Sequence, residues 1–196
     1  MSAAFAPRGW IIAQAAPFDD DEWPYQAYAG IVDYTMLMAY DQVDEHGPAG
    51  AIAAQDWYER ILDKRMRQLS ADSTIIAIGS WAYDWAGKDA ATLLSFEDAM
   101  ATARDTGALV QFDPATNNPH FGYTESDGTS HQVWFLDGVT AFNQIHAADP
   151  YRPAGYALWR LGTEDPSVIP AMGRRYDAPA PAWPAPFEVV LPEVWF

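Results

Sequence analysis

The 196-residue chain is 49% hydrophobic, carries 9 Trp and 10 Tyr, and sets 11 basic residues against 27 acidic ones for a net charge of −16. That length suits one domain with a substantial core, with or without a tail. The negative balance argues against nucleic acid and anionic membrane as partners, and the lack of cysteine excludes disulfides, thiolate metal sites and a thiol nucleophile.

No apolar run is long enough for a membrane-spanning segment. Neutral ligands stay open, and sugars are the natural class for a chain so rich in aromatics. The absence of cysteine leaves the compartment open. Residues 1–7 have neither the basic nor the apolar region of a signal peptide. A strand-like start at Gly9 suggests a reading frame that begins further upstream.

In chain order, residues 9–15 read as a buried strand ended by Pro17, followed by an acidic aromatic loop over 18–25 and a short helix over 26–29. Residues 32–39 form an apolar run too short for a helix, as expected of a central strand in a parallel sheet. The run stops on Tyr40 and Asp41. In a (β/α) barrel, polar residues at that end of a strand meet the substrate. After a loop over 41–50, Ile52, Trp57, Ile61, Leu62, Met66 and Leu69 share one helical face.

Residues 74–79 read as a third strand, followed by an aromatic loop over 80–85. Ser95 to Asp98 is a capping signal for a helix that Gly107 closes. Short β runs follow at 109–112, 121–124 and 132–135, with Asp127-Gly128 as a hairpin turn. Asp137 caps a helix carrying Val139, Phe142 and Ile145, and residues 155–159 form a fourth buried strand. Asp165-Pro166 reads as N-cap and first residue of a last short helix. The body is expected over 1–177, with a hairpin insertion at about 108–136, and 178–196 as a proline-rich linker or tail.

This pattern is α/β, with four strands of barrel character where a (β/α)8 TIM barrel has eight. The expected fold is therefore a partial barrel, about the last four β/α units, with a small β-hairpin insertion before the final strand.

Four motifs carry a resemblance. Met38-Ala39-Tyr40-Asp41 resembles the Met-x-Tyr-Asp motif on the sixth strand of glycoside hydrolase family 18, the chitinase-like TIM barrels. Val32-Asp33-Tyr34 and the Ile78-Gly79 strand with Trp81 to Trp85 look like that family's sixth and seventh strands. Gly155 to Gly162, with Glu164-Asp165-Pro166, looks like the eighth. The similarity covers residues 8–172 and is closest to bacterial members fused to polysaccharide deacetylase or glycosyltransferase modules.

The resemblance implies hydrolysis of β-1,4 bonds between N-acetylglucosamine units with the substrate's own acetamido group as nucleophile, outside the usual two-carboxylate scheme. It implies catalytic roles for Tyr40, which donates to the acetamido group, and Asp41, which orients the sugar. Trp159 becomes the floor under the sugar ring, with Trp81, Tyr83 and Gln14 as further substrate contacts. No cofactor is implied. The family's general acid closes an Asp-x-x-Asp-x-Asp-x-Glu motif that occurs nowhere in this sequence, and Ala82 stands where the pattern has glycine. The isolated chain is therefore expected to be inactive.

Each residue also has a plainer reading. Tyr40 and Asp41 could be a capped strand end, Trp159 a core tryptophan, and Trp81, Tyr83 and Trp85 fillers of the barrel rim. Asp19 to Glu22 reads as a solvated loop. Asp44-Glu45-His46, His120, His131 and His146 lack the spacing of a metal site, and Ser80 lacks the context of a serine nucleophile. A non-catalytic carbohydrate-binding or assembly module is the alternative, completed as a homodimer or by a separate N-terminal half-barrel.

Overall fold

The computed structural model describes residues 9–87 and 90–173, and the expected tail at 178–196 lies outside them. Strands β1 (Ala13–Pro17), β2 (Tyr34–Met38), β3 (Thr74–Gly79) and, much later in the chain, Gly155–Trp159 form one sheet in which every neighbouring pair is parallel. The two strands first and last in sequence are its edges. Among the described residues the sheet does not close, so the architecture is a partial barrel, as expected.

The first strand starts later than its apolar run suggests. Asp33 takes the Ile12 amide on its carboxylate (2.7 Å) and returns its own amide to the Ile12 carbonyl (2.8 Å). Pro17 is admitted at the strand's end because the strand lies on an edge.

The acidic loop after β1 is exposed, as expected of a solvated loop, and it is also pinned to a later helix. Asp19 accepts the Trp57 indole N–H (2.7 Å), and Asp21 pairs with Lys64 (2.5 Å) and Arg65 (3.2 Å). These partners lie on α2 (Gln55–Met66), which follows the one-turn helix α1 (Tyr25–Tyr28). Helix α2 begins three residues after Ile52, because the Asn118 side chain occupies both the amide and the carbonyl of Ala53 (3.0 and 2.9 Å) and the Gln42 amide oxygen caps Ala54 N–H (2.8 Å).

The expected aromatic loop is a strand. Residues Ala82–Ala86 form β4, which joins β5 (Thr92–Leu94), β6 (Gln111–Asp113), β7 (Asn118–Thr124) and β8 (Ser130–Phe135) in an antiparallel sheet ordered β5-β4-β8-β7-β6. The Asp127-Gly128 turn joins β7 to β8, with Gly128 at φ 92°. One face of this sheet packs Ala82, Phe121, Val133 and Phe135 against Ala99 and Ala103 of α3 (Phe96–Thr106). That helix starts on the Ser95 hydroxyl, which accepts the Asp98 amide, and ends on left-handed Gly107.

Helix α4 (Gly138–Ala148) is capped by Asp137 as expected, and leads to β9 (Gly155–Trp159). The last helix, α5, runs Val168–Met172 and begins later than the Asp165-Pro166 pair suggests. Asp165 instead uses its carboxylate on the Gly138 amide (2.8 Å) and on Ser167 N–H and O–H (2.9 and 2.8 Å), which ties the two helix starts together.

The parallel sheet has two unlike faces. The Tyr156 hydroxyl reaches Ile145 and Asp149 at the end of α4, so Tyr156 and its lateral neighbours Ile76, Leu37 and Ala16 turn toward the helices. Leu37, Ile76 and Ile78 are fully buried there, each contributing about 1.5–3 kcal/mol by apolar transfer. The opposite face carries Ala15, Met36, Met38, Ile75, Ala77 and Ala157, and most of these are only partly covered.

Candidate active site

Strand β2 ends in a tight turn, with the Tyr40 amide donating to the Met38 carbonyl (2.9 Å). Asp41 then takes φ 60°, a left-handed conformation that aspartate tolerates better than most residues. This turn delivers Tyr40 and Asp41 to the mouth at the C-terminal end of the strands. Tyr40 meets Trp81 edge-to-face at 5.2 Å, Trp81 meets Tyr83 at 6.0 Å, and Tyr83 meets Trp85 at 5.5 Å. An aromatic relay therefore runs from β2 along β4.

Burial and the neighbouring Asp41 charge push the Tyr40 hydroxyl up to about 12, so it stays protonated and able to donate at any ordinary pH. Asp41 is pushed up to about 6, chiefly by desolvation of its carboxyl, with Glu45 and Asp44 adding repulsion and the Tyr83 hydroxyl opposing them. Tyr83 places that hydroxyl between two carboxylates, 3.2 Å from Glu45 and 3.4 Å from Asp41. Its ionisation is raised by burial and by both charges.

Trp159 is the lateral partner of Gly79 and stands 55% exposed at the end of β9, and the peptide bond that follows it is cis. Trp81 lies over Gly79 on the same side of the sheet, since a Cβ there would point into its ring. Tyr40, Asp41, Trp81, Tyr83 and Trp159 thus share the mouth. Trp81 and Tyr83 are 3% and 4% exposed.

Gln14 stands apart from this group. Its lateral neighbour is Thr35, which shares the helix-facing side of the sheet, and its side-chain oxygen is buried without a partner among the described residues. Ser80 is a buried junction: its N–H donates to Trp159 O (3.0 Å), its hydroxyl donates to Leu136 O (3.1 Å) and accepts Asp165 N–H (3.0 Å). Sequence reading missed Glu45 as a mouth residue. Only the alternation of Ala82, Asp84 and Ala86 with Tyr83 and Trp85 hinted that a strand, not a loop, faces it.

No protein-family model matches the chain. It is 28% identical over 159 residues to an uncharacterized glycosylase, YvbX, of Bacillus subtilis, covering 79% of this chain and 46% of that protein. It is 25% identical over 171 residues to the cortical fragment-lytic enzyme of the same species, covering 85% and 39%. The chain spans less than half the length of these curated relatives. Among solved structures, a chitinase from Chromobacterium violaceum superposes with a TM-score of 0.81 at 24% identity, covering 89% of this chain and 59% of that one. The Bacillus cereus spore cortex-lytic enzyme SleL gives 0.78 at 23%, covering 85% and 41%. With the order of four parallel strands, these likenesses show that the chain has the fold of a partial chitinase-like barrel.

Proposed function

We propose that this chain carries the acetamido-holding side of a site for N-acetylglucosamine polymers, such as chitin or a peptidoglycan-like polysaccharide, cleaved by substrate-assisted retaining hydrolysis. The observation that carries this reading is Tyr40 fixed on Trp81 beside Asp41 at the strand mouth. A permanently protonated phenol donates to an acetamido oxygen, and the carboxyl beside it orients the sugar. Trp159 offers an exposed indole as the floor for the ring. Trp81 and Tyr83, both buried, serve this site by holding Tyr40 and Asp41 in place.

The reaction also needs an acid to protonate the leaving oxygen, worth about 10²–10⁴-fold in rate. The motif that supplies it is not in this sequence, so the isolated chain binds sugar without turning it over. Binding of a chitooligosaccharide, followed by calorimetry and product analysis, tests this. Trp159→Ala is expected to weaken binding roughly tenfold, about 1.4 kcal/mol. Turnover that Tyr40→Phe abolishes would overturn the inactivity, and unaltered affinity in Trp159→Ala would remove the floor.

A second reading, a barrel-completing assembly module, is favoured by the partly covered apolar sheet face and the two sheet edges at β1 and β9. Such edges and faces attract partners. Either a second copy of this chain or a separate N-terminal half-barrel brings the four strands that closure requires.

A further inference from the structure

Asp41 and Glu45 both lie within hydrogen-bond reach of one hydroxyl, that of Tyr83, and a phenol has a single proton to give. The loop that carries Glu45 is built to hold it there. Its backbone carbonyl accepts the Ala91 amide (2.7 Å), Asp44 Oδ1 accepts the His46 and Gly47 amides (2.9 and 3.0 Å), and the Gly47 carbonyl accepts the Trp85 indole N–H (2.9 Å). Among the described residues, the charged and titratable groups around Asp41 are Tyr40, Asp44, Glu45 and Tyr83, with His46 lying 3.8 Å from Glu45 on its solvent side. Among the described residues, no basic side chain is one of the groups that act on Asp41.

We propose that Glu45 is a positioning residue for Asp41, competing with it for the Tyr83 proton and so setting the protonation state in which Asp41 faces the mouth. When Tyr83 donates to Glu45, Asp41 holds its proton up to a higher pH, and in that protonated form it can donate to a sugar oxygen. When Tyr83 donates to Asp41, that carboxylate ionises and can only accept. The consequence for an acetamido sugar rests on the functional reading above, whereas the coupling of the two carboxyls does not.

The test is a carbon-13 NMR titration of the Asp41 carboxyl in the sugar-free chain and in two variants. Glu45→Gln removes a negative charge and leaves a weaker, neutral acceptor for the hydroxyl, so the Asp41 midpoint moves down. Tyr83→Phe removes the donor and moves it up. These opposite signs are not the mark of a merely structural contact, and a midpoint that stays in place in Glu45→Gln overturns the proposal. A parallel pH series of chitotriose binding separates the two ideas. Affinity that follows the Asp41 midpoint in each variant supports both. Midpoints that move as stated without binding at any pH sustain Glu45's role and defeat the sugar reading.

Discussion

Trp81 lies so close over Gly79 that a Cβ on the glycine would stand 2.5 Å from the indole Cζ3 and 2.8 Å from Leu136. The glycine is required for space. Its place at the end of β3 is what lets the indole fold over the strand and meet Tyr40. Gly79→Ala is expected to cost about 1–3 kcal/mol by overpacking. Urea unfolding gives the cost, and a shift of tryptophan emission reports the displaced ring. Parent-like stability and emission would refute the packing.

Ser80 ties together the ends of β3, β8 and β9. Ser80→Ala leaves the buried Leu136 carbonyl without that donor and the Asp165 amide without its acceptor. An unmade buried hydrogen bond costs about 1–3 kcal/mol, so the melting temperature should fall. The same change should leave the isolated α2 side of the molecule, including its Trp57 environment, as protected from hydrogen exchange as before.

Arg65 is fully buried on α2, with Nε on the Phe18 carbonyl (2.7 Å), Nη1 on Gln68 (3.0 Å), Nη2 on Asp21 (3.2 Å) and its guanidinium 4.2 Å above the Tyr25 ring. Lysine cannot reproduce this fork. Arg65→Lys is expected to destabilise by about 2 kcal/mol through the Phe18 carbonyl left unpaired, and thermal unfolding measures it. Asp21→Asn should matter far less, because Asp21 is exposed.

Burial pushes the Asp137 carboxyl up to about 6, with Asp165 adding repulsion and the Thr140 bonds opposing it. The folded state therefore holds this proton more tightly than the unfolded chain. Its stabilising contribution is full below the ordinary value of 3.8 and is lost as pH rises through about 6. Asparagine keeps an N-cap acceptor without the charge. The stability of the parent minus that of Asp137→Asn should thus decline between about pH 4 and 6 and then level off. A difference that is flat across this range would remove Asp137 as the source.

The partly covered sheet face and the two sheet edges lead to a prediction about association. Light scattering on the isolated chain should show concentration-dependent self-association or, on the monomer, binding of an apolar dye. A dye-silent monomer at all concentrations would count against both forms of the assembly reading.

The apolar runs before Tyr40 and Trp159, the Ser95 and Asp137 caps and the Asp127-Gly128 turn were all legible in the sequence, because each depends on neighbours in the chain. So was the pairing of a strand end with Tyr40 and Asp41. What tertiary structure decided depends on partners far apart in sequence. Residues 82–86 become a strand by pairing with β5 and with the distant β8, and Ile52 is held outside its helix by Asn118, 65 residues beyond Ala53. The acidic loop is clamped by α2. Above all, local pattern assigns Tyr40 and Asp41 to a mouth but does not place Trp81, Tyr83 and Glu45 around them. Those contacts span about forty residues, and they form because β4 and the loop over 41–50 pack on the same side of the molecule.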